Sequence, residues 1–121
     1  MNKKIFLLVG SLLATMTFAE VCPNPHNAND MGWSIIGGTE TNLVGGTELN
    51  SGVTFTFKRA IYNPNNSTVF CLFDGSDNTE VRIKKIVTNF NTTNSQWAKD
   101  QYGGYECNGP AVERCEIRIK N

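Results

Sequence analysis

Apolar and polar residues alternate with a period of two through much of this chain. Val53, Phe55 and Phe57 interleave with Thr54, Thr56 and Lys58; Cys115, Ile117 and Ile119 interleave with Arg114, Glu116, Arg118 and Lys120. That period sets one face of an extended strand against a core and the other in water. The first alternation slips at Lys58-Arg59-Ala60 before Ile61-Tyr62, which predicts a bulge or a strand end near Lys58-Arg59. Val81 and Ile83 alternate with Glu80, Arg82 and Lys84. The pattern breaks at Lys84-Lys85 and is expected to continue with Ile86, Thr88 and Phe90. Val69-Phe70-Cys71-Leu72-Phe73 is apolar throughout, as in a central strand covered on both faces. Asn63-Pro64-Asn65-Asn66 and Asp74-Gly75-Ser76-Asp77-Asn78 are turn signals between these runs.

Three segments depart from the pattern. Residues 21–32, VCPNPHNANDMG, are polar and carry two prolines, and read as an extended lead-in pinned by Cys22. Residues 35–50 say nearly the same thing twice, IIGGTETN and then LVGGTELN, and read as two consecutive turns around a short meander. Around Trp97 a short helix is the expectation: Asn94 or Ser95 as cap, Ala98 and Gln101 within it, Gly103 as stop. No linker or charge block divides the rest. The pattern predicts an all-β domain, a small antiparallel β-sandwich or open barrel of about five to seven strands.

The N-terminus changes the picture of where the domain works. Lys3 and Lys4 precede an apolar run from Ile5 to Ala14, and Thr17-Phe18-Ala19 places small residues where a leader peptidase reads them. This is the pattern of a secretory signal peptide, cleaved after Ala19, and the run is too short to span a bilayer. The expected organisation is a leader at 1–19 and one exported domain at 20–121, periplasmic or secreted. The short lysine-bearing leader looks bacterial. The residue before Cys22 is Val21, where a lipobox resembles a small Gly or Ala, so no lipid anchor is expected. No later segment has the length of a membrane helix.

Charge excludes some partners. The chain has 11 basic and 11 acidic residues, and Lys3 and Lys4 lie in the leader, so the exported part carries a slight acidic excess. It lacks the basic surplus that neutralises phosphates, which argues against nucleic acid and against anionic membrane.

All four cysteines, Cys22, Cys71, Cys107 and Cys115, lie in the exported part. An even number in a short exported chain implies disulfides before metal. Three pairings are possible. Asn108-Gly109-Pro110 folds the chain back between Cys107 and Cys115, which favours that bridge and leaves Cys22 with Cys71. A zinc site wants cysteines two to four residues apart, and Cys22 with His26 is half a site, so no metal is expected.

Candidate chemistry is sparse. The GGTE segments lack the lysine of a phosphate-binding loop and are followed by a strand rather than a helix, so no nucleotide or other cofactor is expected. Asp74, Asp77 and Glu80 do not have calcium-loop spacing and fit a polar hairpin end better. The one histidine, His26, lies in a lead-in expected to be mobile, and oxidised cysteines supply no thiolate, so no catalytic residue is assigned. Asn65, Asn66 and Asn91 begin glycosylation sequons, read here as by-products of the asparagine-rich composition. Trp33, Trp97, Tyr102 and Tyr105 fall in or near expected loops. Such side chains either anchor a partner or cap the open ends of a small core.

The landmarks in order are Cys22-Pro23 after the leader, Trp33, VFCLF at 69–73, Trp97, YEC at 105–107 and Cys115. In them the chain resembles a family of short exported bacterial proteins catalogued only as a domain of unknown function. The resemblance covers nearly the whole exported part and implies a small, β-rich, disulfide-containing protein without assigned chemistry. The doubled GGTE segment is a departure from that family. Taken together, these observations lead to the expectation of a non-enzymatic exported module that binds a protein or glycan in the envelope or outside the cell. The alternatives are an inhibitor of an extracellular or periplasmic hydrolase, presenting the 107–115 loop, and an enzyme using surface carboxylates.

Overall fold

The computed structural model describes residues 19–37, 49–93 and 96–120. The expected leader, apart from Ala19, and most of the GGTE repeat lie outside the described residues. Among the described residues, eight short strands form two antiparallel sheets and no α-helix occurs. The large sheet runs in the order β2 (Ser34–Gly37), β5 (Glu80–Ile86), β4 (Thr68–Gly75), β3 (Phe55–Asn63), β7 (Tyr105–Asn108), β6 (Ala98–Lys99). A ribbon of β1 (Ala19–Glu20) and β8 (Ile117–Arg118) forms the second. The architecture is open: the larger sheet does not close on itself.

The slip at Lys58-Arg59 is a bulge. Phe57 pairs with Phe73 and Arg59 with Leu72, so Lys58 is the extra residue. The insertion lets Phe57 and Ala60, three apart, both point into the core, at 5% and 0% exposure. β4 is central, between β3 and β5. Val69, Cys71 and Phe73 are buried on its inner face, and Leu72 on the opposite face is buried as well. Leu72 pairs with Arg59 on one side and Arg82 on the other, whose aliphatic stems can cover it.

The inner face of the sheet meets the lead-in and the C-terminal third. Val69, Val81, Ile83 and Tyr62 share one core cluster with Cys22, Ala28, Trp33, Phe90, Trp97 and Ile117. The disulfides Cys22–Cys71 and Cys107–Cys115 are both formed. The first ties the lead-in to the central strand, and the second closes the loop after β7.

Four local expectations are corrected. The lead-in is not extended: it coils into two 3₁₀ turns, Pro25–Asn27 and Asn29–Met31, because Asn24 caps the first through its side chain and Gly32 ends the second at φ 86°. His26 is held there, its Nε2 2.6 Å from the Val53 carbonyl oxygen and its ring 5.0 Å from that of Phe55. Beyond Ile86 the strand does not continue to Thr88 and Phe90. Lys85 occupies an inward position in register, and its ammonium escapes to the Glu20 carboxylate at 3.0 Å; Ile86 is then 70% exposed, and Phe90 returns to the core through a bridge to Ile119. From residue 96 onward the segment around Trp97 is no helix, and the cap candidates Asn94 and Ser95 lie outside the described residues: Ala98-Lys99 pair with Glu106 and Tyr105, so the pull of the β7 edge overrides a weak local helical signal. The C-terminal alternation also shortens, with a 3₁₀ turn at Val112–Arg114, a two-residue strand at Ile117–Arg118 and a single bridge at Ile119.

Candidate functional site

Asp100 to Gly104 form the tight turn between β6 and β7. Asp100 organises it. Its Oδ1 accepts from the backbone N–H of Tyr102 at 2.8 Å and of Gly104 at 2.9 Å, and its own N–H donates to the Gly104 carbonyl at 2.8 Å. A short carboxylate that binds backbone two residues on is the local reason Asp starts turns. Gly103 sits at φ 89°, in the left-handed region. Gly104 has no room for a side chain: a Cβ would lie 2.9 Å from Asp100 Oδ2 and 3.0 Å from the Tyr62 carbonyl oxygen.

Because Tyr62 pairs with Tyr105, this turn lies beside the turn that joins β3 to β4. There Asn63 Oδ1 accepts from the Asn65 N–H at 3.0 Å, and Thr68 Oγ1 donates to the Asn66 carbonyl at 3.1 Å. The two turns enclose a mainly polar cleft of about 350 Å³, lined by residues 61–65 on one wall and by Asp100, Tyr102, Gly103 and Gly104 on the other. Its size lies within the ~300–1,000 Å³ of small-ligand clefts. Tyr102 stands in it 86% exposed, on a backbone fixed by Asp100. Among the described residues no hydrogen bond reaches Asp100 Oδ2, the Asn63 amide nitrogen or the Asn65 side chain. These acceptors and donors can meet water or a ligand.

The four aromatic candidates separate here. Trp33 is 2% exposed and Trp97 4%. Trp97 donates from Nε1 to the Glu116 carbonyl at 2.9 Å and stands edge-on to Phe90, and Trp33 lies under Lys85 Nζ at 6.0 Å. Tyr105 is half-buried beside Tyr62. Only Tyr102 of the four is presented fully to solvent. Asn63, Asn65, Asp100 and Gly104 were not singled out in the sequence as binding residues. The turn signals marked their local conformation, but nothing local says that two turns some forty residues apart share one end of a sheet.

Several surface carboxylates are organised as ion pairs and turn locks. Lys58 Nζ lies 3.2 Å from Glu80 Oε2 and 3.6 Å from Asp74 Oδ1, and Arg82 reaches Glu80 at 3.6 Å. The hydrogen bond from Lys58 holds the Glu80 carboxyl below its usual value, and the same contact raises Lys58. The Thr79 hydroxyl, donating to Asp77 Oδ1 at 2.6 Å, likewise lowers Asp77. Such groups stay ionised, whereas a general acid needs its pKa raised. Among the described residues no group of three His, Cys, Asp or Glu is placed to hold a metal ion.

Two other surface features stand apart. A mainly apolar concavity of about 240 Å³ lies between the end of β5 and the β1–β8 ribbon, with Ile86 and Ile119 in its wall. The loop closed by Cys107–Cys115 exposes Asn108, Pro110, Ala111, Glu113 and Arg114. Two disulfides fit an oxidising, extracytoplasmic compartment, and no described helix is long and apolar enough to cross a membrane. Comparison with family models, curated proteins and solved structures returns no match, so the site is read from its own geometry.

Proposed function

We propose that this is an exported, non-catalytic binding module that engages a protein or glycan partner in the envelope or outside the cell through the Tyr102 cleft. One observation carries the reading. A tyrosine 86% exposed sits on a turn held by the Asp100 carboxylate and borders a concave, mainly polar cleft. A large aromatic side chain on a fixed backbone brings contact area at small entropic cost, which is how binding anchors work. Export rests on the leader at 1–19, and the mature chain would begin at Glu20, with the resemblance to small exported bacterial proteins in support.

The test is retention on immobilised envelope preparations. Wild type is expected to be retained, Tyr102→Ala to wash through, and Ile86→Ser, in the other concavity, to behave as wild type. Equal retention of wild type and Tyr102→Ala would defeat the reading. A second reading, inhibition of an extracellular hydrolase, is favoured by the exposed, disulfide-closed 107–115 loop. It requires that Pro110→Ala and Glu113→Ala weaken a one-to-one complex with the hydrolase while Tyr102→Ala does not.

A further inference from the structure

We infer that the Tyr102 cleft takes a neutral saccharide. This deepens the proposed binding role and rests on it. The lining decides the chemistry. One wall carries Asn63 and Asn65 with the apolar Ile61, Tyr62 and Pro64 between and beside them, and the other carries Asp100, Tyr102 and two glycines. A pyranose has the matching surface: axial C–H groups that lie on an aromatic face, and a rim of hydroxyls that both donate and accept. Asp100 Oδ2 accepts from hydroxyls, while an asparagine amide does both. Gly103 and Gly104 add no side chain to that wall, which leaves room for a ring beside Tyr102.

The same lining argues against the other occupants. It contains a carboxylate and no lysine or arginine, so phosphate, sulfate or uronic-acid groups would meet repulsion without a compensating cation. A protein hot spot needs a desolvated apolar centre around its anchor. The exposed apolar side chains Met31, Ile36, Ile86 and Ile119 all lie outside this cleft. Tyr102 therefore stands in a cleft that is mainly polar, with Ile61, Tyr62 and Pro64 as its other apolar lining. That suits a ligand polar at its edge and apolar on its faces.

The experiment is a titration of the ¹⁵N-labelled exported domain, disulfides intact, with cellobiose, maltose and N,N′-diacetylchitobiose. Digalacturonic acid serves as the acidic counterpart. Tyr102→Ala and Tyr102→Phe are run alongside, since neither change touches the core. The expected result is a set of shifts confined to residues 61–65 and 100–104 with at least one neutral disaccharide. Affinity should fall about tenfold in Tyr102→Ala and be largely kept in Tyr102→Phe. Equal or tighter binding of digalacturonic acid would overturn the neutral assignment. A cleft silent to every sugar, with Tyr102-dependent envelope retention that survives periodate oxidation, would overturn the saccharide and leave the binding role standing. Silence together with Tyr102-independent retention would remove both.

Discussion

Tyr62 lies flat against Phe90, the rings 4.2 Å apart and 12° from parallel. The contact joins β3 to the segment that leads into Trp97, which meets Phe90 edge-on at 4.9 Å. Phe90 is thus the middle of an aromatic row that lines one end of the core, the end whose outer surface carries the Tyr102 cleft. Phe90→Ala should destabilise the domain by about 3–5 kcal/mol, since it removes a buried ring and leaves a void between two others. Urea unfolding of the oxidised protein measures this. A loss below about 1 kcal/mol would show that the row does not support the core.

The two classes of aromatic residue should respond oppositely to truncation. Tyr102→Ala is expected to leave stability within about 0.5 kcal/mol of wild type, as for an exposed side chain without core contacts. Trp97→Ala should cost about 3–5 kcal/mol, and it also strips the Glu116 carbonyl of its donor. Thermal melts of the two variants side by side distinguish anchor from core.

The turn beneath Tyr102 depends on its glycines. Gly104→Ala places a Cβ against Asp100 Oδ2 and the Tyr62 carbonyl, so the locking hydrogen bonds must lengthen. Gly103→Val forces a β-branched residue to φ 89°, at about 1–2 kcal/mol. In both variants the Tyr102 amide should exchange with solvent faster while amides of β4 keep their protection. Unchanged Tyr102 exchange would mean that the turn is not rigidified as described.

The disulfides should contribute unequally. Cys22–Cys71 spans a separation of 49 residues and Cys107–Cys115 a separation of 8. Chain entropy then gives about 4 kcal/mol for the long loop and about 2.5 kcal/mol for the short one. Replacing Cys22 and Cys71 by alanine should therefore lower the unfolding midpoint more than the same change at Cys107 and Cys115. The reverse order would show that local packing, rather than loop closure, sets their value.

The ion pairs across β3, β4 and β5 imply a mild pH dependence at both extremes. Glu80 and Asp77 have folded pKa values below their ordinary 4.5 and 3.8. Their stabilisation is present above those ordinary values and is lost as pH falls through the folded ones. Lys58 is raised above 10.5, so its contribution is present below 10.5 and lost as pH rises through the folded value. These groups sit at the surface, so both effects should shrink in high salt. Glu80→Gln should flatten part of the acid limb and most of the alkaline one in melts from pH 3 to 11. A profile identical to wild type would remove the network from the account.

Period-two alternation determined most of the strands, because a half-buried strand writes its two faces directly into residue order. The bulge at Lys58 was legible for the same reason: an insertion interrupts a strict period. The central place of VFCLF followed from its lack of a polar face. Cysteine number and the Asn108-Gly109-Pro110 turn carried the disulfide pairing. Tertiary structure alone decided what long-range contact governs. Ala98-Lys99 became a strand because the β7 edge offered hydrogen bonds that a short helix could not match. Ile86 was left in water because β5 keeps its register through Lys85, which puts Ile86 on the outer face with Arg82 and Lys84. Trp33 and Trp97 went inside because the sheet required a cover, and Tyr102 stayed out because its turn projects past the last pairing of β6 and β7. Local order fixes which face a residue shows. Which faces and turns meet across the chain depends on packing between segments far apart in sequence, and no local pattern encodes it.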